Sequence, residues 1–414
     1  MGYPPALKAA LTDAFVAWRS VLRHGRRTAA GAFAVAFGTI SLILAAGFIE
    51  WIYGAMREGT IHAGLGHLQI MRPGYPENGT ADPFNYLLPE SSPDWQRVKQ
   101  APHVVDVARR LHFSGLVAFG DASLSFLGEG RDADHEVGGE DALIVESGTS
   151  LSSAAPKGVL LGQGLAANLG AKVGDTVILL VHKRSGALDG LEVEVRGIFS
   201  TQAKAYDDVT IQVLFDVADQ MLEARGAHKW VVYLDRTADT PAAVSALREH
   251  LSKEAMLVPW YDAADFYNKT VRLFSRQVLV MKIIIALVVM LSISNTMMMA
   301  VMERISEIAT SMALGVRRAR VLLRFLAEGL FIGVMGGLAG ALLGYLLAEG
   351  ISSIGIPMPP PPGMARGYIG RILVTPGLVA DGLLLAAATA LVASMYPAWK
   401  ASRMVIAEAL RHGR

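Results

Sequence analysis

The sequence has 414 residues, of which 52% are hydrophobic, 7% aromatic and 18% charged, and its mean hydropathy is +0.38. This composition is too apolar for an ordinary soluble protein. The 38 basic and 37 acidic residues nearly cancel, so no overall basic field indicates nucleic-acid binding. The absence of cysteine from the sequence excludes disulfides, thiolate metal sites and cysteine nucleophiles.

Four uncharged stretches are long enough to cross a bilayer. An α-helix rises ~1.5 Å per residue, so about 20 residues cover the ~30 Å hydrocarbon core. The stretches cover residues 28–49, 283–302, 329–348 and 382–399. They predict a membrane protein with four transmembrane α-helices. For the first stretch a cleaved signal peptide is the alternative, and the length of the apolar run disfavours it.

Basic residues predict the orientation, because positively charged short loops stay on the cytoplasmic side. Five lie in residues 1–29, five between the second and third spans and four in the tail, whereas the loop before the fourth span has two. Both termini are therefore expected in the cytoplasm. The predicted divisions are a cytoplasmic amphipathic helix (1–27), transmembrane helix 1 (28–52), an extracytoplasmic domain (53–276), transmembrane helix 2 (277–302), a cytoplasmic coupling helix (303–324), transmembrane helix 3 (325–348), an outer proline-rich loop (349–375), transmembrane helix 4 (376–399) and a cytoplasmic tail (400–414).

The region between the first two spans is predicted to be a large mixed α/β domain of two subdomains. Its β-rich segments are residues 115–119, 124–127, 159–161, 177–181, 191–198 and 209–215. Its helical patterns are residues 95–99, 163–169, 217–224 and 241–252. The segment GQGLAANLG from Gly162 has the spacing of a dinucleotide loop, but no repeated strand–helix–strand pattern surrounds it.

Motifs for catalysis are missing from the sequence. It contains no GxxxxGK[ST] phosphate loop, no HExxH zinc motif and no GxSxG nucleophile elbow. The acidic cluster of Asp132, Asp134 and Glu136 around His135 could bind a cation, and a solvated loop is the favoured interpretation. We therefore expect a non-catalytic chain without metal or cofactor, and any ATPase activity on a partner chain.

Two rows of glycines mark the third predicted span. One row is Gly329, Gly333 and Gly337, and the other is Gly336, Gly340 and Gly344. Small residues four apart let another helix approach closely. The partner helix is either the fourth span or a helix of a second chain. The second span carries the polar residues Ser292, Ser294, Asn295 and Thr296, for which bonding between helices is favoured over a transport pathway.

The segment after the second span is amphipathic. Ile305, Ile308, Met312 and Val316 form one apolar stripe, and arginines follow. It is either a simple juxtamembrane turn or a coupling helix that inserts into a groove of a cytoplasmic ATPase.

This segment resembles the E-I-x-x-x-x-A-L-G-x-x-x-x-x-[IV] signature of the MacB, FtsX and lipoprotein-releasing (Lol) permease superfamily of ABC transporters. The matching positions are Glu307, Ile308, Ala313, Leu314, Gly315 and Val321. The closing segment YPAWKASRMVIAEALR is similar to the family's P-A-x-x-A ending at Pro397, Ala398 and Ala401. The segments GVLLGQGLAANLGAKVGDTV and VRGIFSTQAKAYDD look like recurring parts of the family's outer domain, so the resemblance covers nearly the whole chain.

The resemblance implies a permease subunit of the bacterial inner membrane, most like the Lol-type subunits. Its expected partners are cytoplasmic ATPase subunits that bind ATP and Mg, a second permease chain in a homodimer or heterodimer, membrane lipids, and a periplasmic carrier or adaptor. The implied function is ATP-driven extrusion of a lipoprotein, lipid or other amphiphile. An efflux component with a periplasmic adaptor and an FtsX-like regulatory permease without substrate are the alternatives.

The amphipathic pattern and the resemblance together assign residues to roles. Coupling to the ATPase is assigned to Glu303, Arg304, Ile305, Glu307, Ile308, Met312, Ala313, Leu314 and Gly315. A substrate cavity between two facing chains is assigned to Phe48, Trp51, Ile52, Leu279, Ile283 and Leu287. For Trp51 and Tyr53, an ordinary interfacial aromatic belt is an equally good interpretation.

Overall fold

The structure is a computed structural model that describes residues 25–79, 81–132, 144–201, 204–358 and 368–404. The chain forms two compact units. The helical unit comprises the described parts of 1–53, 271–357 and 369–414, and the sheet unit comprises 54–270 and 358–368. The predicted N-terminal amphipathic helix, most of the proline run (359–362) and most of the tail lie outside the described residues.

The helices vary from four to 39 residues in length. In chain order they are α1 Gly25–Thr60, α2 Tyr75–Asn78, α3 Pro93–Lys99, α4 Gln163–Leu169, α5 Lys204–Asp207, α6 Phe215–Leu222, α7 Thr240–Arg248, α8 Trp260–Ala263, α9 Asp265–Glu303, α10 Ile305–Ala313, α11 Arg318–Ile354 and α12 Pro376–Ser402. Four of them, α1, α9, α11 and α12, are long and apolar enough to cross a membrane.

Three of these helices extend well past the uncharged stretches found in the sequence. With 36, 39 and 37 residues, α1, α9 and α11 are each more than 50 Å long at ~1.5 Å per residue, whereas the hydrocarbon core is ~30 Å thick. The helices continue through charged residues because a helix depends on its backbone hydrogen bonds. Apolar side chains are required only in the part of the helix that lies inside the membrane. Consequently α9 begins at Asp265 and α11 at Arg318, before the predicted starts at 277 and 325.

The sheet unit contains a mixed sheet of ten strands. The strands within the described residues are β1 Leu68–Met71, β2 Val104–Phe119, β3 Ala122–Arg131, β4 Ile144–Gly148, β5 Gly158–Gly162, β6 Thr176–His182, β7 Leu188–Ser200, β8 Thr210–Leu214, β9 Lys229–Leu234, β10 Met256–Pro259, β11 Ile356–Met358 and β12 Tyr368–Gly370. The order is β10-β1-β9-β2-β3-β8-β5-β7-β4, and β6 pairs with both β2 and β7. The pairs β3–β8 and β5–β7 are parallel, and the other strand pairs of this sheet are antiparallel.

One continuous core supports this sheet. Leu111 of β2, Leu161 of β5 and Trp230 of β9 are fully buried in the same apolar cluster, and the ring of Trp95 on α3 meets Trp230 edge-on at 5.1 Å. All six predicted β-rich segments overlap observed strands, and all four helical patterns overlap α3, α4, α6 and α7. The division into two subdomains stays a prediction, and the ten strands of this region belong to one sheet.

Buried charges line part of the sheet. Glu129 of β3 accepts a hydrogen bond of 2.8 Å from the Tyr206 hydroxyl and lies 3.2 Å from Nε of Arg110. Burial alone would raise the pKa of Glu129, but the charges of Arg110 and Arg131 outweigh it and lower the pKa to about 2. His228 is almost completely buried, and burial lowers its pKa to about 4. The neutral imidazole of His228 is therefore part of the folded state at neutral pH.

Candidate functional site

The segment predicted as one coupling helix, 303–324, is divided into three pieces. The helix α9 ends at Glu303, the short helix α10 covers Ile305–Ala313, and α11 begins at Arg318. At the first junction, Arg304 interrupts the helix with φ −103° and ψ 15°. At the second junction, the chain bends at Gly315 with φ +94°, a conformation that glycine adopts without strain. This is a correction to the predicted helix: residues 303–324 do not form one helix, and a separate helix of nine residues lies between the two bends.

The apolar stripe of α10 faces inward. Ile308 and Met312 are buried in a cluster with Val301 at the end of α9, Phe325 on α11 and Ala401 on α12. One of the two interpretations of this stripe was insertion into a groove of the ATPase. In this chain, its own helices cover Ile308 and Met312, and a role of these two residues in coupling stays a prediction. An amphipathic helix buries its apolar face against another apolar surface, and here that surface is formed by other helices of the same chain.

The opposite face of α10 is exposed. Glu307 and Thr310 lie on it, and Ala313, Leu314 and Gly315 follow at its end, with Leu314 82% exposed. Of the other predicted coupling residues, Glu303 is exposed, whereas Arg304 and Ile305 are half-buried. The surface available to a partner is therefore polar, with one large apolar side chain.

An ion pair between helices holds this segment, and the sequence analysis did not identify it. Nη1 of Arg304 lies 3.0 Å from the Glu328 carboxylate on α11, and the side chains are only 15% and 12% exposed. The two residues are 24 positions apart, so helix periodicity gives no signal for the pair. A charged pair shielded from water fixes the position of α10 relative to α11 more firmly than a surface pair would.

The two glycine rows of α11 face two different helices of the same chain. In the first row, Cβ positions built at Gly329, Gly333 and Gly337 come within 1.7 to 3.1 Å of Ser394, Ala390 and Ala386 on α12. In the second row, those at Gly336, Gly340 and Gly344 come within 2.6 to 3.3 Å of atoms of α1, from Ala32 to Ile43. The structure thus places α11 between α1 and α12, with close backbone approach on both sides.

The residues predicted to line a substrate cavity lie on two separate surfaces. On α1, Phe48 and Trp51 stack on each other with ring centroids 6.4 Å apart, and Ile52 is half-buried. On α9, Leu279, Ile283 and Leu287 are each more than half exposed. They occupy one face because they are four residues apart.

The exposed face of α9 points away from α1 in this chain. The contacts of α9 with Gly38 of α1 are made by Ile285 and Val289. Ile283 and Ile285 are two positions apart, which is about 200° around a helix, so Ile283 faces the other way. A cavity that uses both predicted surfaces would therefore need a second chain.

Polar side chains within the spans mostly bond to their own backbone. Thr296 donates to the Ser292 carbonyl at 2.8 Å and Thr39 donates to the Val35 carbonyl at 3.0 Å. The favoured expectation for Thr296 was bonding between helices, and the structure instead shows a bond within one helix. Between helices, Nζ of Lys282 lies 3.0 Å from Asp381.

Family models match most of the chain. The family described as MacB-like periplasmic core domain matches residues 28–250, and the FtsX-like permease C-terminal matches residues 279–406. The fold and these matches define a multi-pass membrane permease whose large α/β domain is inserted between the first and second spans. Because the first match alone covers more than half of the chain, the chain belongs to the MacB/FtsX superfamily of ABC transporter permeases.

Individual relatives are more distant. The chain is 29% identical over 215 residues to the macrolide export ATP-binding/permease protein MacB of Syntrophobacter fumaroxidans, a match that covers 50% of the chain and 27% of the relative. The chain thus spans about a quarter of the length of the curated relative it matches. Two solved structures are similar at 14% identity. They are the extracellular domain of the noncanonic ABC-type transporter YknZ from Gram-positive bacteria (TM-score 0.34; 46% of this chain, 98% of that chain) and the periplasmic region of MacB from Actinobacillus actinomycetemcomitans (0.37; 51% and 95%).

Proposed function

We propose that this chain is the permease subunit of an ABC transporter in which a separate ATPase pushes on α10, and that it extrudes an amphiphile such as a lipoprotein or lipid. The observation that carries the proposal is the two-sided character of α10. Its inner face is fixed in the helical core, while its outer face and Leu314 are exposed. The distribution of basic residues predicts that both termini and α10 lie in the cytoplasm, which supports the proposal.

Force applied to the outer face of α10 has a direct route into the spans. Ile308 and Met312 pack in one cluster with residues of α9, α11 and α12, and close-packed side chains transmit displacement because they leave few voids. The ion pair between Arg304 and Glu328 adds a second connection to α11. A movement of α10 should therefore shift three helices together.

The substrate class is proposed from the outer surface of α9. Leu279, Ile283 and Leu287 form an exposed apolar face, and ions or sugars would need polar groups along their path. In a dimer, such a face suits acyl chains or another apolar molecule. The name of the relative as a macrolide exporter supports export of a molecule over regulation without substrate.

Substitutions on the two faces of α10 test the coupling. We expect Leu314→Asp to reduce the amount of ABC ATPase chain that co-purifies with the permease, identified by mass spectrometry, and to uncouple its ATP hydrolysis, without lowering the permease melting temperature. Leu314→Met is the matched control and should behave as wild type. Normal co-purification and normal coupled hydrolysis in Leu314→Asp would refute docking at this face.

Photocrosslinking tests the substrate. A photoreactive residue at Ile283 of the nucleotide-free complex should capture a lipoprotein, lipid or other amphiphile that is released when ATP is added. The control position is Leu342, which is exposed on α11 and should capture only bulk phospholipid regardless of nucleotide. If Ile283 behaves like Leu342, the face is merely lipid-exposed and the extrusion proposal is wrong.

A further inference from the structure

Three side chains of the sheet unit converge outside the regions discussed so far. His103 lies in the turn before β2, Asp235 follows directly after β9, and Asp239 ends the short 3₁₀ turn Thr237–Asp239 before α7. Each contributes one ligand atom, and these atoms all lie within 4.8 Å of one another. The sequence separates His103 from the two aspartates by more than 130 positions, which is why no ligand spacing was visible in the sequence.

The distances fit a shared ion better than direct bonds. Nδ1 of His103 lies 3.6 Å from Oδ2 of Asp235 and 3.6 Å from Oδ2 of Asp239. Hydrogen bonds between such atoms are ~2.7–3.2 Å long. Ligands at ~2.0–2.2 Å from a tetrahedral zinc ion are separated by about 3.4 Å, which is close to the two separations between His103 and the aspartates.

The backbone already holds these groups in place. The Asp235 amide donates a hydrogen bond of 3.1 Å to the His103 carbonyl, which fixes the two loops side by side. His103 has φ +65°, a left-handed conformation that histidine and asparagine tolerate better than most residues. Both His103 and Asp235 are partly exposed, so solvent can reach the point between the three ligands.

We propose that His103, Asp235 and Asp239 form a Zn²⁺ site with water in the remaining position. One imidazole nitrogen with two carboxylate oxygens suits zinc, whereas Ca²⁺ and Mg²⁺ prefer sets made only of oxygen. Zinc would join the start of β2 to the segment between β9 and α7. The proposal is independent of the transported substrate and of the ATPase.

Arg236 is the main competitor for the site. Its Nε donates to Oδ2 of Asp239 at 2.9 Å, which is one of the oxygens that would bind zinc. The Arg236 side chain is largely exposed and can swing into solvent when the metal binds. Zinc and the guanidinium compete for the charge of the Asp239 carboxylate, whose other oxygen also accepts a hydrogen bond from Nη2 of Arg236 at 3.3 Å, so removing the arginine side chain should tighten the binding of zinc.

The test uses the full chain in nanodiscs, without a histidine tag, titrated with Zn²⁺ in a calorimeter and with Co²⁺ followed by its visible absorption. We expect one strong site with tetrahedral cobalt bands. Since changes in groups that merely support a ligand cost ~10–100-fold in affinity, loss of a ligand should cost more than ~100-fold. His103→Asn keeps a residue suited to the left-handed backbone, and Asp235→Asn removes the second ligand.

The controls separate this site from other metal-binding groups. His250→Asn changes an exposed histidine outside the cluster and should leave zinc affinity unchanged, while Arg236→Gln should increase it. Zinc should also raise the melting temperature of the wild type and of His250→Asn, but not of His103→Asn. Equal zinc affinity and equal cobalt spectra in wild type, His103→Asn and Asp235→Asn would overturn the proposal.

Discussion

Replacing glycines of α11 by alanine should separate helices that now touch through their backbones. At Gly340, an added Cβ would lie 2.6 Å from the Ala36 carbonyl oxygen and 2.7 Å from Cβ of Thr39. Ordinary contacts of a Cβ atom are 3.4–4 Å, so α1 must move by roughly 1 Å, and such overpacking costs ~1–3 kcal/mol. At Gly337 the nearest atom is the Ala386 methyl at 3.1 Å, so a small adjustment is enough.

The assay is thermal unfolding of the full chain in nanodiscs, followed by intrinsic tryptophan fluorescence. For Gly340→Ala we expect the midpoint to fall by ~2–12 °C, since 1 kcal/mol corresponds to ~2–4 °C in domains of 150–250 residues. The midpoint of Gly337→Ala should fall much less. The matched control is Gly350 on the same helix, where an added Cβ meets no atom within 4 Å. Gly350→Ala should be neutral or stabilising by up to ~1 kcal/mol, because alanine favours helix.

The order of the variants is the decisive result. If Gly340→Ala unfolds at the same temperature as the wild type, close approach of α1 and α11 does not contribute to stability, and the packing argument is refuted. A loss at Gly350 equal to the loss at Gly340 would instead indicate a general effect of added side chains on α11.

Three further predictions concern buried groups. Met312→Asp should lower the stability of the permease by several kcal/mol because it buries an uncompensated charge, whereas Met312→Leu should cost less than ~1.5 kcal/mol. Size-exclusion profiles of both variants check this. A monodisperse, stable Met312→Asp variant would contradict the inward orientation of this side chain. The folded-state pKa of His228 is about 4, below the ~6.5 of the unfolded chain, so stability should decline as pH falls from 6.5 to 4, by up to about 3 kcal/mol. His228→Gln should show a shallower decline in melting temperature over that range, and an unchanged slope would exclude this histidine as a cause. For Arg304 and Glu328, a double-mutant cycle with glutamine should give a coupling of ~0.5–3 kcal/mol, and zero coupling would show that the pair contributes nothing.

Much of the sheet unit could be predicted from the sequence, but the order of its strands could not. Segments with alternating polarity or flanking glycines, such as those in β6 and β7, were identified correctly. The short strands β1 and β10 and the almost wholly buried β9 were missed. A strand buried on both faces has no period of two, and a four-residue strand is too short to show one. The pairing of β2 with β9 joins residues from 119 (Arg110 and Lys229) to 130 (Val104 and Leu234) positions apart, which no local pattern encodes.

The sequence by itself determined the features that depend on local composition. Length and apolarity define four spans, because the hydrocarbon core imposes its thickness on each segment separately. The signature around Glu307 and Gly315 indicated the family, and two glycine rows indicated close helix packing. These properties are properties of single segments, so they can be recognised before any segment has a neighbour.

Only the tertiary structure decided which partner each surface has. From the sequence, the stripe of Ile308 and Met312 belonged either to a simple juxtamembrane turn or to a helix that inserts into an ATPase, and the positions of α11 and α12 show that it packs inward. Likewise, only the structure shows that one glycine row packs against α12 and the other against α1. An amphipathic pattern shows that a face must be covered, but the identity of the cover depends on contacts between distant parts of the chain, which only folding brings together.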